Sequence, residues 1–387
     1  MDALVVGCGL SGSVIARYLA EELGKKVVIW EKRDHIAGNM YDFKDKHGIL
    51  VHKYGPHTFH TKKKELYDYM CRFTEWQNYK LTCGAMINGK YTPTPFNFQT
   101  IDDFYSQEEA EDLKTRLKLE FSNRKTITVL EALDAKDPMI KQYAQFLFDN
   151  DYSLYTAKQW GVSPEEIDPS VLKRVPLRLS YENRYFDDEY QVMPKKSYVH
   201  FFKNLSNHPN IEVQFGVDAL EHIKIKDNTL YLDGEEMSIP VIYTGAIDEL
   251  FELEFGSLPY RSLKFEWKHE LIESKQEAPV VAYPQEKDFT RITEYKKLPV
   301  QEVKGTSYAV EYPLKYEIGN KSEPYYPVLT QNSQLIYRKY LEKSKKISNL
   351  YLCGRLADFK YYNMDQVLER ALYICKTISA FLYLEPK

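Results

Sequence analysis

The sequence predicts an α/β fold: a Rossmann-like dinucleotide-binding domain with an inserted helical domain and an antiparallel β-sheet domain. Three observations predict it. The chain opens on a strand, a glycine turn, a helix and a second strand; residues from about 62 to 160 are mainly helical in pattern; beyond about 175 short strand-like stretches take over.

Taken in order, residues 3–7 (ALVVG) form a short apolar run ending in glycine. Residues 14–23 (VIARYLAEEL) place apolar side chains at helical spacing, and 27–31 (VVIWE) are a second apolar run, so the three make a βαβ unit that opens a parallel sheet. Segments 107–121 and 139–149 show the 3.6-residue period of helices, and between them and the first unit 88–98 (NGKYTPTPFNF) reads as a polar, proline-bearing loop. Strands are expected at 211–217, 222–225, 229–232, 280–283, 289–295 and 306–312, the last two alternating as in a sheet with one open face. A strand at 350–353, a loop, and a long apolar-periodic helix from about 364 to 382 close the chain.

Composition narrows the function. Of 387 residues, 43% are hydrophobic and 28% charged, ordinary for a globular protein, and a net charge of -4 without a basic stripe argues against nucleic acid as a partner. The five cysteines (Cys8, Cys71, Cys83, Cys353, Cys375) form no CxxC pair and are odd in number, which argues against a disulfide framework and against a bound metal. No basic segment precedes the first strand and no apolar run reaches the roughly 18–20 residues of a membrane span, so a cytoplasmic protein is expected. Tyrosine, present 32 times, offers a flat apolar face and a polar tip, which suit a polar ligand with an aromatic base.

The first chemical signal is Gly7-x-Gly9-x-x-Gly12 between strand and helix. Gly7 permits the tight turn, Gly9 lets backbone approach a pyrophosphate, Gly12 allows helix and strand to pack closely, and the helix N-terminus beyond them turns free N–H groups and a partial positive charge toward phosphate. Glu31, at the end of the second strand, stands where a carboxylate holds ribose hydroxyls. These residues alone leave NAD and FAD both open. Arg33 and the Gly38-Asn39 pair that follow resemble the continuation found in FAD proteins of the glutathione-reductase type, which favours FAD. Ser11, inside the turn, and Lys32, after the acid, are taken into the same cofactor set.

Six further segments carry a more specific resemblance: 54–61 (YGPHTFHT), 152–161 (YSLYTAKQWG), 174–194 (RVPLRLSYENRYFDDEYQVMP), 290–295 (TRITEY), 324–327 (PYYP) and 354–372 (GRLADFKYYNMDQVLERAL). Together and in this order they resemble the bacterial UDP-galactopyranose mutases, from residue 3 to residue 372. One departure is Asn363, where many family members carry Asp; it keeps the carbonyl acceptor, loses the charge and still suits a helix N-cap.

The resemblance implies an FAD-binding Rossmann-like domain (1–84, 204–248, 328–387), a helical domain with a mobile substrate loop (85–175) and an antiparallel sheet domain (176–203, 249–327), with the active site between them. It implies that Tyr155 stacks on uracil, with Thr156 beside it and Trp160 covering the ligand. Arg174, after the proline-bearing stretch VSPEEIDPS, and Arg291, on a strand face shared with Phe289, Thr293 and Tyr295, are expected to clamp the diphosphate, because a guanidinium grips phosphate bidentately and stays charged. Tyr185, Tyr326 and Tyr361 are expected to hydrogen-bond the diphosphate or sugar, with Tyr325 an alternative to Tyr326. His60 is expected nearest the sugar and His57 beside the flavin. Arg355 and the turn holding Asn363 and Met364 are expected to bring positive potential to the reduced flavin.

The function so implied is the interconversion of UDP-galactopyranose and UDP-galactofuranose through a covalent flavin N5–sugar adduct on reduced FAD, supplying galactofuranose for cell-surface glycans. A reductant such as NAD(P)H or a reductase, and a homodimer, come with the resemblance. Three alternatives stand beside it: an FAD oxidoreductase of the amine-oxidase type, a mutase for UDP-N-acetylgalactosamine, and a UDP-sugar binder without turnover. No Ser-His-Asp or Cys-His arrangement offers a side-chain nucleophile.

Overall fold

The structure, a computed structural model of the chain, describes residues 1–161, 175–319 and 322–384, apart from the side chains of Trp160 and residues 381–384. Its centre is a five-stranded parallel sheet in the order Ile211–Phe215, β2 (Val27–Glu31), β1 (Ala3–Val6), Val241–Tyr243, Leu350–Leu352. β1 lies in the middle because both of its faces are buried. Ala3 and Val5 enter one core with Val14, Ile15 and Leu19 of α1 (Leu10–Glu21), while Leu4 enters a second core with Ile247, Leu250 and Tyr340. The helix Met364–Leu384 lays Leu368, Ala371, Ile374, Cys375 and Ile378 into the first core. Each large apolar side chain buried this way contributes about 1.5–3 kcal/mol of transfer free energy.

A seven-stranded sheet runs Tyr326–Pro327, Tyr260–Glu270, Thr306–Lys315, Arg291–Glu294, Val280–Ala282, Cys83–Ile87, Lys90–Thr94. It is antiparallel except where Val280–Ala282 meets Cys83–Ile87. A three-stranded sheet, Phe59–Thr61 with Tyr190–Pro194 and Trp76–Asn78, joins the two.

Two expectations are corrected. The stretch 62–160 is interrupted by four strands, and residues 88–98 are no loop, because Lys90–Thr94 pairs with Cys83–Ile87 in a hairpin. Asn88 and Gly89 turn it with φ of 51° and 75°, the left-handed pair a two-residue hairpin requires. Pro93 is tolerated because its strand is outermost in the sheet. The helices of the region form as expected at Gln107–Glu120 and Pro138–Leu147, and the second continues through a π-turn (Phe148–Tyr152) into the helix Ser153–Trp160. Capping boxes at Ser106/Glu109 and Thr128/Glu131 satisfy the first N–H groups of their helices. The long strand Tyr260–Glu270 is an addition to the expected set.

Candidate functional site

Two adjoining cavities hold most of the expected residues. The first is lined by Gly7, Gly9, Ser11, Gly12, Glu31, Lys32, Arg33, Gly38 and Asn39, and reaches His57, Arg355 and Met364. Each glycine of the turn has its own reason. Gly7 has a φ of +102°, and a β-carbon there would lie 2.1 Å from Thr244 Oγ1. A β-carbon on Gly12 would lie 2.0 Å from the Gly7 carbonyl oxygen. On Gly9 it would meet only Gly38 Cα, at the ordinary distance of 3.8 Å. The protein alone therefore does not require glycine at 9, and the open space beside it leaves room for a ligand against the backbone. Gly38 in turn packs on Gly9, at a φ of +52°.

α1 begins at Gly9 with no side chain capping its first N–H groups, which leaves them for an anion. Glu31 is buried and accepts from the N–H groups of Cys8 (2.9 Å) and Arg33 (3.0 Å), so its carboxylate is fixed beside the turn. Arg33 donates to Asn39 Oδ1 at 3.0 Å and Glu323 Oε2 at 2.8 Å. This cradle and donor set fit a dinucleotide with a pyrophosphate at α1 and a ribose at Glu31.

The second cavity is lined by His60, Tyr155, Tyr185, Arg291, Tyr326, Tyr361 and Asn363, and it shares Asn39, His57, Tyr325, Arg355 and Met364 with the first. Arg291 donates through Nε to Glu311 Oε2 at 2.8 Å, and Thr293 donates to the other oxygen of the same buried carboxylate at 2.9 Å. Burial opposes the charge of Arg291, but Glu311 and the nearby phenols of Tyr155 and Tyr326 outweigh it and raise its pKa well above the usual value. Phe289, expected on that face, packs instead with Tyr283 and Tyr312 against Ile292, because the strand begins only at Arg291 and its alternation does not reach back to 289.

Tyr326 and Tyr361 stack at 5.4 Å, with the Arg355 guanidinium 5.4 and 4.9 Å from their ring centres. Arg355 is held there by the carbonyls of Tyr325 (3.3 Å) and Tyr362 (2.7 Å). Of the neighbouring pair, Tyr326 is the one in this stack, while the ring of Tyr325 packs toward Tyr54 and Phe265.

His57 Nδ1–H donates to the Gly55 carbonyl at 2.9 Å; burial lowers its pKa to about 4, so it is neutral at pH 7. His60 lies flat on Phe186, ring centres 3.5 Å apart, and its Nδ1 pairs with Asp188. Asn363 immediately precedes the helix Met364–Leu384, and its N–H donates to Gln366 Oε1 at 2.9 Å, one half of a capping box. Thr156 is buried one position round the helix from Tyr155 and does not line the cavity. Arg174 and the side chain of Trp160 lie outside the described residues.

Three acids of this site are absent from the expected set. Glu311 sits in an alternating strand that the sequence shows, and Asp188 in one of the quoted segments, so each was visible as a residue but not as a partner. Asp151, in the π-turn, lines the second cavity, and burial pushes its carboxyl up to about 7 against the pull of Lys158. Among the described residues no group of three or more potential metal ligands occurs, and no helix is long and apolar enough to cross a membrane.

A family model described as UDP-galactopyranose mutase matches residues 151–361, and one described as an NAD(P)-binding Rossmann-like domain matches residues 5–73. The chain is 35% identical over 378 residues to a UDP-galactopyranose mutase of Mycoplasma pneumoniae, covering 96% of this chain and 94% of that protein. It is also 35% identical over 372 residues to a dTDP-fucopyranose mutase of Escherichia coli, covering 95% and 96%. A crystal structure of reduced UDP-galactopyranose mutase shares the fold, with a TM-score of 0.73 at 16% identity over 98% of this chain and 94% of that one. A redesigned putrescine oxidase shares it less closely, with a TM-score of 0.58 at 12% identity over 98% and 99%. With a family model spanning more than half its length and relatives of this identity aligned over nearly all of it, the chain belongs to the UDP-galactopyranose mutase family and is an isomerase.

Proposed function

We propose that the chain interconverts UDP-galactopyranose and UDP-galactofuranose, with reduced FAD in the glycine-lined cavity and the nucleotide sugar in the adjoining one. The observation that carries this reading is the meeting of the two cavities at His57, Arg355 and Met364, with Arg291 and the tyrosine stack opening beyond. Gly7, Gly9, Ser11, Gly12, Glu31, Lys32, Arg33, Gly38 and Asn39 would hold the cofactor. Bound and reduced, FAD supplies a nucleophilic nitrogen for the anomeric carbon of the sugar.

The chain's own residues do the rest. Arg291, fixed by Glu311, neutralises the diphosphate and holds it as leaving group, with Arg174 as its second clamp. Tyr155 stacks on uracil and Trp160 covers it; Tyr185, Tyr326 and Tyr361 offer hydroxyls to diphosphate and sugar, with Thr156 behind them. His60, oriented by Asp188, reaches the sugar. Neutral His57, the Arg355 cation and the helix N-terminus at Asn363 and Met364 support the negative charge of a reduced flavin. Three domains with the boundaries given above, a homodimer, a cytoplasmic location, a reductant of the NAD(P)H kind and a product destined for cell-surface glycans complete the proposal.

The Escherichia coli relative carries a second reading, since it is a dTDP-fucopyranose mutase at the same identity. One experiment separates them. The protein is reduced anaerobically with dithionite and given UDP-galactofuranose, UDP-N-acetylgalactosamine and dTDP-fucopyranose in turn, with ring forms resolved by chromatography. Turnover of the first sugar, only when reduced, is the expected result. Turnover of another sugar alone reassigns the substrate; none with any, while UDP still binds, leaves a binder.

A further inference from the structure

Lys158 lies three positions after Tyr155 on the helix Ser153–Trp160, and its surroundings are unusual. Its ammonium donates to the backbone carbonyls of Tyr283 (2.6 Å), Pro284 (3.1 Å), Phe289 (2.8 Å) and Glu286. All four belong to the loop 283–290, which joins the strand Val280–Ala282 to the strand Arg291–Glu294. The ends of that loop are paired across the sheet, Ala282 with Arg291, and both line the second cavity. One side chain thus ties the helix that carries Tyr155 to the loop that delivers Arg291.

An ammonium has three N–H donors for these four acceptors, so no water is needed to satisfy it and the loop is gathered to a point. Two other contacts fasten the same helical segment at its ends. Gln285 donates to Asn150 Oδ1 at 3.0 Å, and Arg261 donates to the Gln159 carbonyl at 3.1 Å. With those in place, removing Lys158 is expected to leave the helix docked but without its fixed rotation and distance relative to Arg291.

We propose that Lys158 is a positioning residue for the nucleotide, whose ammonium, gripping four carbonyls of the loop 283–290, sets the Tyr155 ring against the Arg291 guanidinium so that base and diphosphate are held at once. This deepens the proposed function and rests on its reading of the second cavity as the nucleotide site. The grip also has a pH at which it loosens. Burial lowers the pKa of Lys158 to about 8, opposed by Glu286, Asp151 and Asp288. Above that pH the amine keeps two donors for four carbonyls. The other titratable groups facing it are Asp151, its carboxyl pushed up to about 7, Glu286 and Asp288, and the phenols of Tyr283 and Tyr155, which burial raises.

The test uses the FAD-loaded protein. UDP is titrated calorimetrically into wild type, Lys158→Met and Lys158→Arg at pH 7.5 and 9.0, with KM and kcat of the reduced enzyme measured alongside. Wild type is expected to bind UDP several-fold more weakly at pH 9.0. Lys158→Met is expected to bind it at least tenfold more weakly than wild type at pH 7.5 and to show no further loss at 9.0. KM should rise by the same factor, with kcat changing far less. Equal affinity of wild type and Lys158→Met, or the same pH dependence in both, overturns the inference while leaving the nucleotide site standing. No binding of UDP to wild type overturns that site and the inference together. Should Lys158→Met fail to fold, Lys158→Arg decides. Its guanidinium stays charged through pH 9.0, so a wild-type pH loss that persists in Lys158→Arg overturns the proposal, and its disappearance supports it.

Discussion

A methyl group at Gly9 would touch nothing but Gly38 Cα, at 3.8 Å, whereas one at Gly12 would strike the Gly7 carbonyl oxygen at 2.0 Å. The two glycines of one turn are therefore kept for different reasons, and substitution separates them. Gly9→Ala, at a φ of -85° that any residue adopts, should leave the melting temperature of the apoprotein unchanged and weaken FAD binding at least tenfold. Gly12→Ala should lower the apoprotein's melting temperature itself. A Gly9→Ala protein that stays as yellow as wild type would show that no ligand lies against that backbone. At Arg291 the balance is electrostatic. Among the described residues its partner Glu311 has no other cation at hydrogen-bond distance, and it is buried, so Arg291→Ala strands a carboxylate. Such losses cost about 3–5 kcal/mol. Urea unfolding should show that loss in Arg291→Ala and a partial recovery when Glu311→Gln is added, while UDP affinity stays low in both. These roles differ in how far the sequence discloses them. Gly9 and Arg291 stand in recognisable segments. The partners Glu311 and Asp188 do not announce themselves, because each meets its basic group only after the chain has returned from 20 or 128 residues away.

At the scale of elements, the strand Leu50–His52 ends in an imidazole that is wholly enclosed. His52 Nδ1 accepts the N–H of His57 at 3.0 Å, and burial holds its pKa at about 3; His57 follows at about 4. In the unfolded chain both titrate near 6.5. Below that pH the unfolded chain takes up protons that the fold refuses. Their contribution to stability is thus full above about 6.5 and is lost as pH falls toward 4 and 3, by at most about 1.4 kcal/mol per pH unit for each group. Asp42 and Asp248 work the other way. Burial raises each to about 6, so they favour the fold below the ordinary carboxylate value and that benefit fades as pH rises through 6. The difference between wild type and His52→Gln isolates the histidine: the variant's unfolding free energy should fall less steeply between pH 6.5 and 4, and parallel curves would place the acid lability elsewhere. Elements themselves were unequally legible. The alternation at Leu263, Phe265 and Trp267 against Lys264, Glu266 and Lys268 is written in the sequence although the expected strands omit it, and so is the Asn88-Gly89 turn, which the helical and loop expectations covered over. The π-turn Phe148–Tyr152 has no such signature, since an extra residue per turn leaves no distinct apolar period in so short a stretch.

For the whole molecule the decisive fact is that the dinucleotide cavity is assembled from distant parts of the chain: the Gly7–Gly12 turn, residues 31–40, residues 217–249, residues 323–325 and residues 354–367. No local periodicity encodes that assembly, because strand order in the parallel sheet places Val241–Tyr243 beside β1 and Leu350–Leu352 beyond it, each pairing closed over more than a hundred residues. A ligand bound across such a seam stabilises every segment it touches. FAD at a hundred times its dissociation constant adds about 2.7 kcal/mol to the folded state. At about 2.1 cal/mol/K per residue the unfolding entropy of the chain is on the order of 0.8 kcal/mol/K, so the melting temperature should rise by about 3 °C. The shared walls of the two cavities, at His57, Arg355 and Met364, add a further expectation. The seven-stranded sheet should melt with the cofactor lobe, so the FAD-induced shift should appear in a single calorimetric transition and be enlarged again by UDP. Two transitions, of which only one moves with FAD, would mean that the nucleotide and cofactor cavities unfold independently and that their meeting in the folded state couples nothing.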